Sequence, residues 1–178
     1  MTAIDSDRGT ATAVSAPRKT LVLLTAGILA MVVGFGSMAG GFFGAWYTWD
    51  QAVAQDVVTP DDAAIAETPM RGPFTMWAQA DIIKTHQLEN TEGLYYAQME
   101  RTVPQLDENG TAVLDDNGEP VMIPNEARAS WVTATTLTTA LGLGIVSYAL
   151  SALAIAVGLT LMVTGFVFLH IRKRAIIL

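Results

Sequence analysis

Two long segments of this chain contain no charged residue, and they restrict its fold more than any other feature. Neither Leu21–Trp49 nor Trp131–Leu169 contains an Asp, Glu, Lys or Arg. About 20 apolar residues are enough for a helix to cross the hydrocarbon core of a bilayer. The chain as a whole is only 15% charged, whereas soluble domains carry about 25%. The sequence therefore predicts two membrane-spanning helices.

The first segment is predicted to be a retained anchor, not a cleaved signal peptide. The apolar region of a signal peptide has about 7–15 residues and ends at a small-residue cleavage site. Here the apolar run is longer and ends in Trp46-Tyr47-Thr48-Trp49. Aromatic residues of this kind favour the membrane–water interface, so they are expected to mark the outer end of the span.

Charge predicts the orientation of the two spans. Arg18 and Lys19 precede the first span, Arg172, Lys173 and Arg174 follow the second, and the middle has fifteen acids against four bases. Since Lys and Arg next to a span stay in the cytoplasm, both termini are predicted to be cytoplasmic and the acidic loop extracytoplasmic, in the cell membrane. The predicted segments are a tail (1–19), a first span (20–48), a loop (49–130), a long helix (131–169) and a basic tail (170–178).

The second helix is longer than a bilayer requires. Counting back about 20 residues from His170 reaches Leu150, and with Tyr148 at the outer boundary the span is predicted at about 148–169. The preceding stretch, Trp131–Gly144, contains five threonines. It is predicted to extend the helix above the membrane or against another protein; a tilted, longer span is the alternative.

The loop is predicted to contain short helices. Trp49, Val53 and Val57 keep helical spacing, so the first helix is expected to continue to Pro60. A new helix is expected to start at Thr59-Pro60, with Thr as N-cap and Pro in the first position. A stronger helix is predicted over 74–90, with Gly93 in a left-handed cap. Its apolar face comprises Phe74, Trp77, Ala78, Ile82 and Leu88, widened by Met76 and Ile83.

Two Asp-rich repeats predict turns farther along the loop. Asp107-Glu108-Asn109-Gly110 and Asp115-Asp116-Asn117-Gly118 each end in Asn-Gly, a hairpin signal because both turn positions need a positive φ. Strands are predicted near 102–106, 111–115 and 119–123, as a β-meander. A calcium loop is disfavoured because neither repeat has the full EF-hand spacing, in which alternating ligands are followed by a bidentate Glu at the twelfth position. The predicted fold is an all-α membrane protein, a two-transmembrane-helix hairpin with an exported loop of short helices and a small β-meander.

Few residues could carry catalysis. The sequence has no cysteine and two histidines, His86 and His170, whereas a catalytic metal site usually needs three protein ligands. Neither span contains an ionisable residue of the kind that marks proton or ion pathways. The net charge of −7 disfavours nucleic acid as a partner. We therefore expect no enzyme activity, no metal and no cofactor.

Small and exposed apolar residues predict packing against other subunits or lipids. In membranes, small residues four apart let helix backbones approach closely. The first span has two successive GxxxG steps, with Ser37, Gly41 and Ala45 alongside; packing of the two spans on each other is the alternative use of these residues. The predicted partner-packing residues are Gly36, Gly40, Gly44, Phe74, Trp77, Ile82, Leu88, Ser147, Ser151 and Gly158.

Gly72-Pro73-Phe74-Thr75, the run Ala78–His86 and the segment Asn125–Thr139 resemble a family of small actinobacterial two-span membrane proteins. The resemblance covers about a third of the chain and departs from the family near 103–123. The family includes the respiratory supercomplex association factor, an accessory subunit of the cytochrome bc–aa3 (complex III–IV) assembly. Its members often carry the label of aromatic ring-opening dioxygenase, which the residues do not support: a two-His, one-carboxylate iron site would need His86 and His170 on the same side of the membrane.

The residues and the resemblance together lead to one expected function. The chain is expected to be a non-catalytic accessory or assembly subunit of a larger membrane complex. The resemblance implies that this complex is the respiratory III–IV supercomplex, with cytochrome bc and cytochrome aa3 oxidase subunits as partners in electron transport. The alternative is a stand-alone two-helix sensor whose acidic loop binds a cationic ligand or partner.

Overall fold

The computed structural model describes residues 16–177, with side chains described for 20–174. Most of the predicted N-terminal tail, 1–19, therefore lies outside the described residues. The described part is mostly helical, with three α-helices, a single 3-10 turn at Tyr96–Gln98 and one two-stranded antiparallel sheet. The elements in chain order are α1 (Ala16–Ala54), α2 (Pro73–Asn90), β1 (Thr102–Pro104), β2 (Met122–Pro124) and α3 (Glu126–Ile177).

The chain divides into two compact units. We call the first the helix-pair unit; it comprises the described residues of Met1–Phe43 and Ser151–Leu178. We call the second the loop unit; it comprises Gly44–Leu150.

The long helices α1 and α3 are apolar enough to cross a membrane. The mean hydropathy of their most apolar windows is 2.2 in Thr20–Ala54 and 2.4 in Glu126–Arg174, and only 11% of each window is buried. Leu29, Phe35, Leu153 and Phe166 are more than half exposed. The core helix of a soluble protein would cover such side chains, whereas lipid solvates them at no cost. Both helices could therefore span a bilayer.

In the helix-pair unit, α1 and α3 meet at three pairs of small residues. A Cβ added at Gly34 would lie 2.7 Å from the Gly158 carbonyl oxygen, and one at Gly41 would lie 2.6 Å from the Ser151 carbonyl oxygen. The third pair is Gly165, where a Cβ would lie 2.7 Å from the carbonyl oxygen of Gly27. The pairs run in opposite sequence order, so the two segments are antiparallel. We call these six residues the glycine seam.

Larger side chains and a hydrogen bond complete the glycine seam. Met38 lies over Gly158 and Met31 lies over Gly165, each occupying the space that a Cβ would need. The Ser37 hydroxyl donates to the Ala154 carbonyl at 2.9 Å. Close backbone approach of this kind increases van der Waals contact, a main source of helix affinity in lipid.

In the loop unit, α1 ends earlier than predicted. Its last residue is Ala54, and Asp56 follows in the left-handed region with φ +49°. A left-handed residue just after a helix stops it. Val57 then lies outside the helix, where its carbonyl accepts the Met70 N–H at 2.8 Å. The predicted continuation of the first helix to Pro60 is therefore wrong.

The helix predicted to start at Thr59 is also absent, because Thr59 closes a loop instead of capping a helix. Its hydroxyl is buried, donates its one hydrogen to the Ile65 carbonyl, and accepts the Thr68 N–H at 3.0 Å. The Thr59 N–H also donates to the Thr68 carbonyl at 3.0 Å. These bonds join residues six and nine apart, whereas the backbone bonds of an α-helix join residues four apart.

Helix α2 begins one residue before the predicted 74–90. The Thr75 hydroxyl accepts the N–H of Gly72 at 3.2 Å, which holds the helix start. At the other end, Gly93 has φ +81° and its N–H donates to the Leu88 carbonyl at 2.7 Å. This is the left-handed glycine cap that the sequence predicted.

The strand region is not a meander. In a meander the middle strand would separate the outer two, but β1 pairs directly with β2, with Val103 opposite Ile123. The middle segment is reduced to isolated bridges, Leu106–Ala112 and Leu114–Pro120. Three backbone bonds close a ring: the Gln105 N–H donates to Val121, Val121 to Val113, and Val113 to Gln105, each at 2.8–2.9 Å.

The two Asp turns explain this geometry. Among the described residues of these turns, only Gly110 and Gly118 have a positive φ, so the prediction of positive φ at both central positions is wrong. Asp107 Oδ1 instead accepts the N–H groups of Asn109 and Thr111, and Asp115 Oδ1 accepts those of Asn117 and Glu119. The Gly110 N–H donates to the Asp107 carbonyl and the Gly118 N–H to the Asp115 carbonyl, each at 3.0 Å, so each turn spans four residues and ends at a left-handed glycine.

We predict opposite effects of adding a methyl group at neighbouring glycines of α1. Gly34→Ala places a Cβ against the Gly158 backbone, whereas Gly36→Ala enters open space. Overpacking typically costs about 1–3 kcal/mol, while Gly→Ala in an open helix position is neutral or stabilising by up to about 1 kcal/mol. The free energy of unfolding of each purified variant in mixed micelles measures both. Equal stabilities would show that the glycine seam does not hold the helices together.

Candidate interaction surfaces

The first surface is the GxxxG face of α1. A Cβ added at Gly36 or Gly40 would meet no heavy atom of the described residues within 4 Å, apart from the helix's own backbone, and both glycines are exposed. Gly44 is half-buried, and its carbonyl accepts the Thr48 hydroxyl at 2.9 Å. Gly36 and Gly40 thus lie outside the glycine seam, on a face that the described residues leave uncovered.

The small residues predicted in the second helix lie against α1 instead. Ser151 and Gly158 belong to the glycine seam and are buried. In the loop unit, the Ser147 hydroxyl lies 2.6 Å from that of Thr48. These three positions are therefore used in packing within the chain, which is the alternative that the sequence left open for them.

The exposed side of α2 is the second surface. Phe74 is 77% exposed and Trp77 is 53% exposed, although both are large and apolar. The buried residues of α2 are Met76, Ala78, Ile82 and Gln87, and Leu88 is half-buried. Of the four α2 residues predicted to contact a partner, Ile82 is therefore covered by the chain itself and Phe74 and Trp77 are not.

The buried side of α2 lies along α3 in the loop unit. The Tyr148 hydroxyl donates to the Arg71 carbonyl at 2.9 Å, Met76 Sδ would lie 2.7 Å from a Cβ at Gly144, and Gln87 Nε2 donates to Ser130 Oγ at 2.7 Å. The small core formed by Ala52, Met70 and Met76 adjoins this contact and is covered by Leu141, Ile145 and Tyr148. The sequence pattern missed Gln87, because a single polar residue near a helix end gives no sign of burial.

A cleft of about 470 Å³ opens beside this core. Its wall combines apolar side chains such as Met70 and Leu141 with the neutral polar residues Gln51, Gln55 and Gln79. Gln79 Oε1 is buried and has no hydrogen-bond partner among the described residues. No ionisable side chain lines the cleft, so its lining offers hydrogen bonds and apolar contact without an acid or base.

An aromatic cluster lies at the start of α3. Trp131 is buried, its Nε1 donates to the Leu94 carbonyl at 3.0 Å, and its ring stacks on Tyr95 with centroids 5.4 Å apart. The Arg128 guanidinium lies 3.8 Å from the Tyr96 ring centroid, in a cation–π contact. These contacts fasten the segment after α2 to the first turns of α3.

His86 is paired with Asp62. Its Nε2 lies 2.7 Å from Asp62 Oδ2, and both side chains are about half exposed. The hydrogen bond to Asp62 raises the pKa of His86, and the bond from His86 lowers the pKa of Asp62. Within residues 20–174, no group of three His, Cys, Asp or Glu side chains could hold a metal ion. The pair instead ties the 59–68 loop to α2.

Sequence reasoning missed half of the glycine seam. Gly27, Gly34 and Gly41 are seven residues apart, as are Ser151, Gly158 and Gly165. Residues seven apart lie on one side of a helix, after two turns. The matched seven-residue spacing in both helices is the sequence signal for the glycine seam. The GxxxG spacing of Gly36, Gly40 and Gly44 predicted a different face.

No protein-family model, curated protein or solved structure matches this chain.

We predict that the His86–Asp62 pair responds to pH in both directions. The contribution of His86 to the free energy of unfolding is fully present below the unfolded pKa of about 6.5. It is lost as the pH rises through the raised pKa of the folded state. The contribution of Asp62 to the free energy of unfolding is fully present above its unfolded pKa of about 3.9. It is lost as the pH falls through the lowered pKa of the folded state. Between about pH 4 and 6.5 both side chains should therefore be charged, and the pair should stabilise the fold most.

An NMR titration of the His86 ring tests this prediction. In the wild type the midpoint should lie above 6.5, and Asp62→Asn should move it down toward that value. Glu89→Gln is the control, since Glu89 contributes least among the interactions that raise the pKa of His86. An unchanged midpoint in Asp62→Asn would contradict the pairing.

Proposed function

We propose that this chain is a non-catalytic accessory subunit that binds larger membrane proteins through the uncovered face of α1. Two observations support the proposal. The chain uses one side of α1 for the glycine seam, and a second side with Gly36 and Gly40 stays open to close approach by another helix. In lipid, small residues on an open helix face favour helix–helix contact because backbones can approach closely.

The proposed topology is a two-span membrane hairpin. Both termini are cytoplasmic, the spans lie near 20–48 and 148–169, and the loop 49–130 is extracytoplasmic in the cell membrane. The basic residues Arg172, Lys173 and Arg174 after the second span and the acidic loop support this orientation. The antiparallel seam contacts are compatible with it, because adjacent spans joined by one loop must run in opposite directions.

The proposed assembly is the respiratory III–IV supercomplex, with cytochrome bc and cytochrome aa3 oxidase subunits as partners. This part of the proposal depends on the resemblance of Gly72–Thr75, Ala78–His86 and Asn125–Thr139 to the two-span family. Within this proposal the chain would supply packing surface and no redox group. Its contribution would be to assembly or stability.

Gly40→Leu tests the proposed contact. The added side chain would hold a partner helix away, while making the span more apolar and leaving the glycine seam untouched. We expect the variant in membranes but lost from the complex purified in mild detergent, whose haem spectrum identifies the assembly. Phe42→Leu is the matched control, because residues two apart point to opposite sides of a helix. Normal co-purification of Gly40→Leu would exclude this face as a contact.

The orientation can be tested separately, because the chain has no cysteine. Single cysteines at Ser6 and Asn109 are treated with a membrane-impermeant thiol reagent on intact cells. We expect labelling at position 109 and none at position 6 until the cells are opened. Labelling only at position 6 would reverse the proposed topology.

A further inference from the structure

We propose that Arg71, Phe74 and Trp77 form an interfacial anchor, a surface that lies in the outer lipid headgroup layer. In this proposal lipid covers the exposed apolar side chains at the start of α2. The sequence pattern predicted that these side chains contact a protein partner. The inference depends on the proposed topology, in which Tyr148 marks the outer boundary of the second span.

The direction of α2 places its first turn nearest to this boundary. Three contacts fix the direction: Arg71 with Tyr148, Met76 with Gly144, and Gln87 with Ser130. Residue numbers rise along α2 as they fall along α3, so the two helices are antiparallel. The N-terminal end of α2 therefore lies beside Tyr148, and its C-terminal end lies toward the start of α3.

The distances match the thickness of the headgroup layer. Gly144 lies one helical turn before Tyr148, or about 6 Å along α3 at 1.5 Å per residue. Met76, between Phe74 and Trp77 in the sequence, lies at the level of Gly144. The polar layer on each side of the hydrocarbon is roughly 5–8 Å thick. The first turn of α2 thus lies within this layer if Tyr148 marks its inner edge.

Side-chain direction brings the aromatic rings closer still. In an α-helix the Cα–Cβ bonds tilt toward the N-terminus. For α2 this direction is toward Tyr148, so Phe74 and Trp77 point down toward the proposed bilayer. Phe74 is 77% exposed and Trp77 is 53% exposed, which leaves both rings accessible to lipid.

The chemistry of the neighbouring residues fits a lipid headgroup layer. Arg71 is exposed, and its long side chain can reach a phosphate while its apolar stem stays near the rings. Trp is among the residues most enriched at membrane interfaces. Trp46 and Trp49, at the outer end of the first span, are also exposed and belong to the same loop unit. In the proposed topology these two Trp residues lie at the same outer membrane interface as the anchor.

Spin labels can measure the depth of the anchor directly. The full-length protein, alone in nanodiscs of phosphatidylcholine and phosphatidylglycerol, carries one nitroxide on a cysteine replacing Phe74 or Trp77. Collision rates with oxygen, which concentrates in lipid, and with a water-soluble nickel complex give the depth of each label. Lys84 and Glu89, exposed on the same helix, provide control positions, and Val157 in the second span reports the hydrocarbon core.

We expect the labels at 74 and 77 to be several-fold less accessible to nickel than those at 84 and 89, and the label at 157 to be in the hydrocarbon core. Arg71→Gln should reduce the difference in anionic discs more than in discs of phosphatidylcholine alone. The anchor proposal would be wrong if the labels at 74 and 77 were as accessible to nickel as those at 84 and 89 while the label at 157 lay in lipid. If they became protected only in the purified complex, the surface would bind protein. A water-accessible label at 157 would instead reject the proposed span.

Discussion

Apolar side chains gain little by facing each other in place of lipid, so helices in a bilayer need some other source of affinity. For α1 and α3, which are apolar enough to cross a membrane, the close backbone contact of the glycine seam is such a source. With Gly34 against Gly158 and Gly41 against Ser151, large neighbours such as Met38 reach the opposite backbone and gain dispersion contacts. Since a single methyl group on the seam would meet a carbonyl oxygen, the register of the two segments is narrowly fixed.

The seam also defines what it leaves free. A helix has a limited circumference, and residues seven apart use only one side of it. Gly36 and Gly40 fall on another side of α1, where the described chain brings nothing within 4 Å of an added Cβ. The two sets of glycines therefore have separable roles, one in packing within the chain and one proposed for a neighbouring subunit. Because Gly34 and Gly36 are two residues apart, mutations can separate these roles within a single turn of α1.

The loop unit solves a different problem, which is to order a segment without disulfides and with a small core. It does so with local polar bonds at a few positions. Thr59 closes the 59–68 loop, Asp107 and Asp115 hold the two turns, and the His86–Asp62 pair ties the first loop to α2. The buried core is limited to a few residues around Met70 and Met76. A unit built this way has little apolar material to cover Phe74 and Trp77, and their exposure leads to the proposed lipid anchor.

The sequence by itself determined the features that depend on local pattern. The long uncharged runs predict helices apolar enough to cross a membrane, and α1 and α3 have that length and composition. The Gly72-Pro73 start and the Gly93 end of α2 follow from backbone preference. Tertiary structure decided the rest. It buried Ile82 and Gln87 and left Phe74 and Trp77 exposed. Thr59 closes a loop and does not cap a helix, because its side chain bonds to Thr68. It also paired β1 with β2. In the glycine seam it is Gly34, and not Gly36, that packs against α3. These outcomes depend on residues far apart in the chain, whose meeting no local pattern encodes.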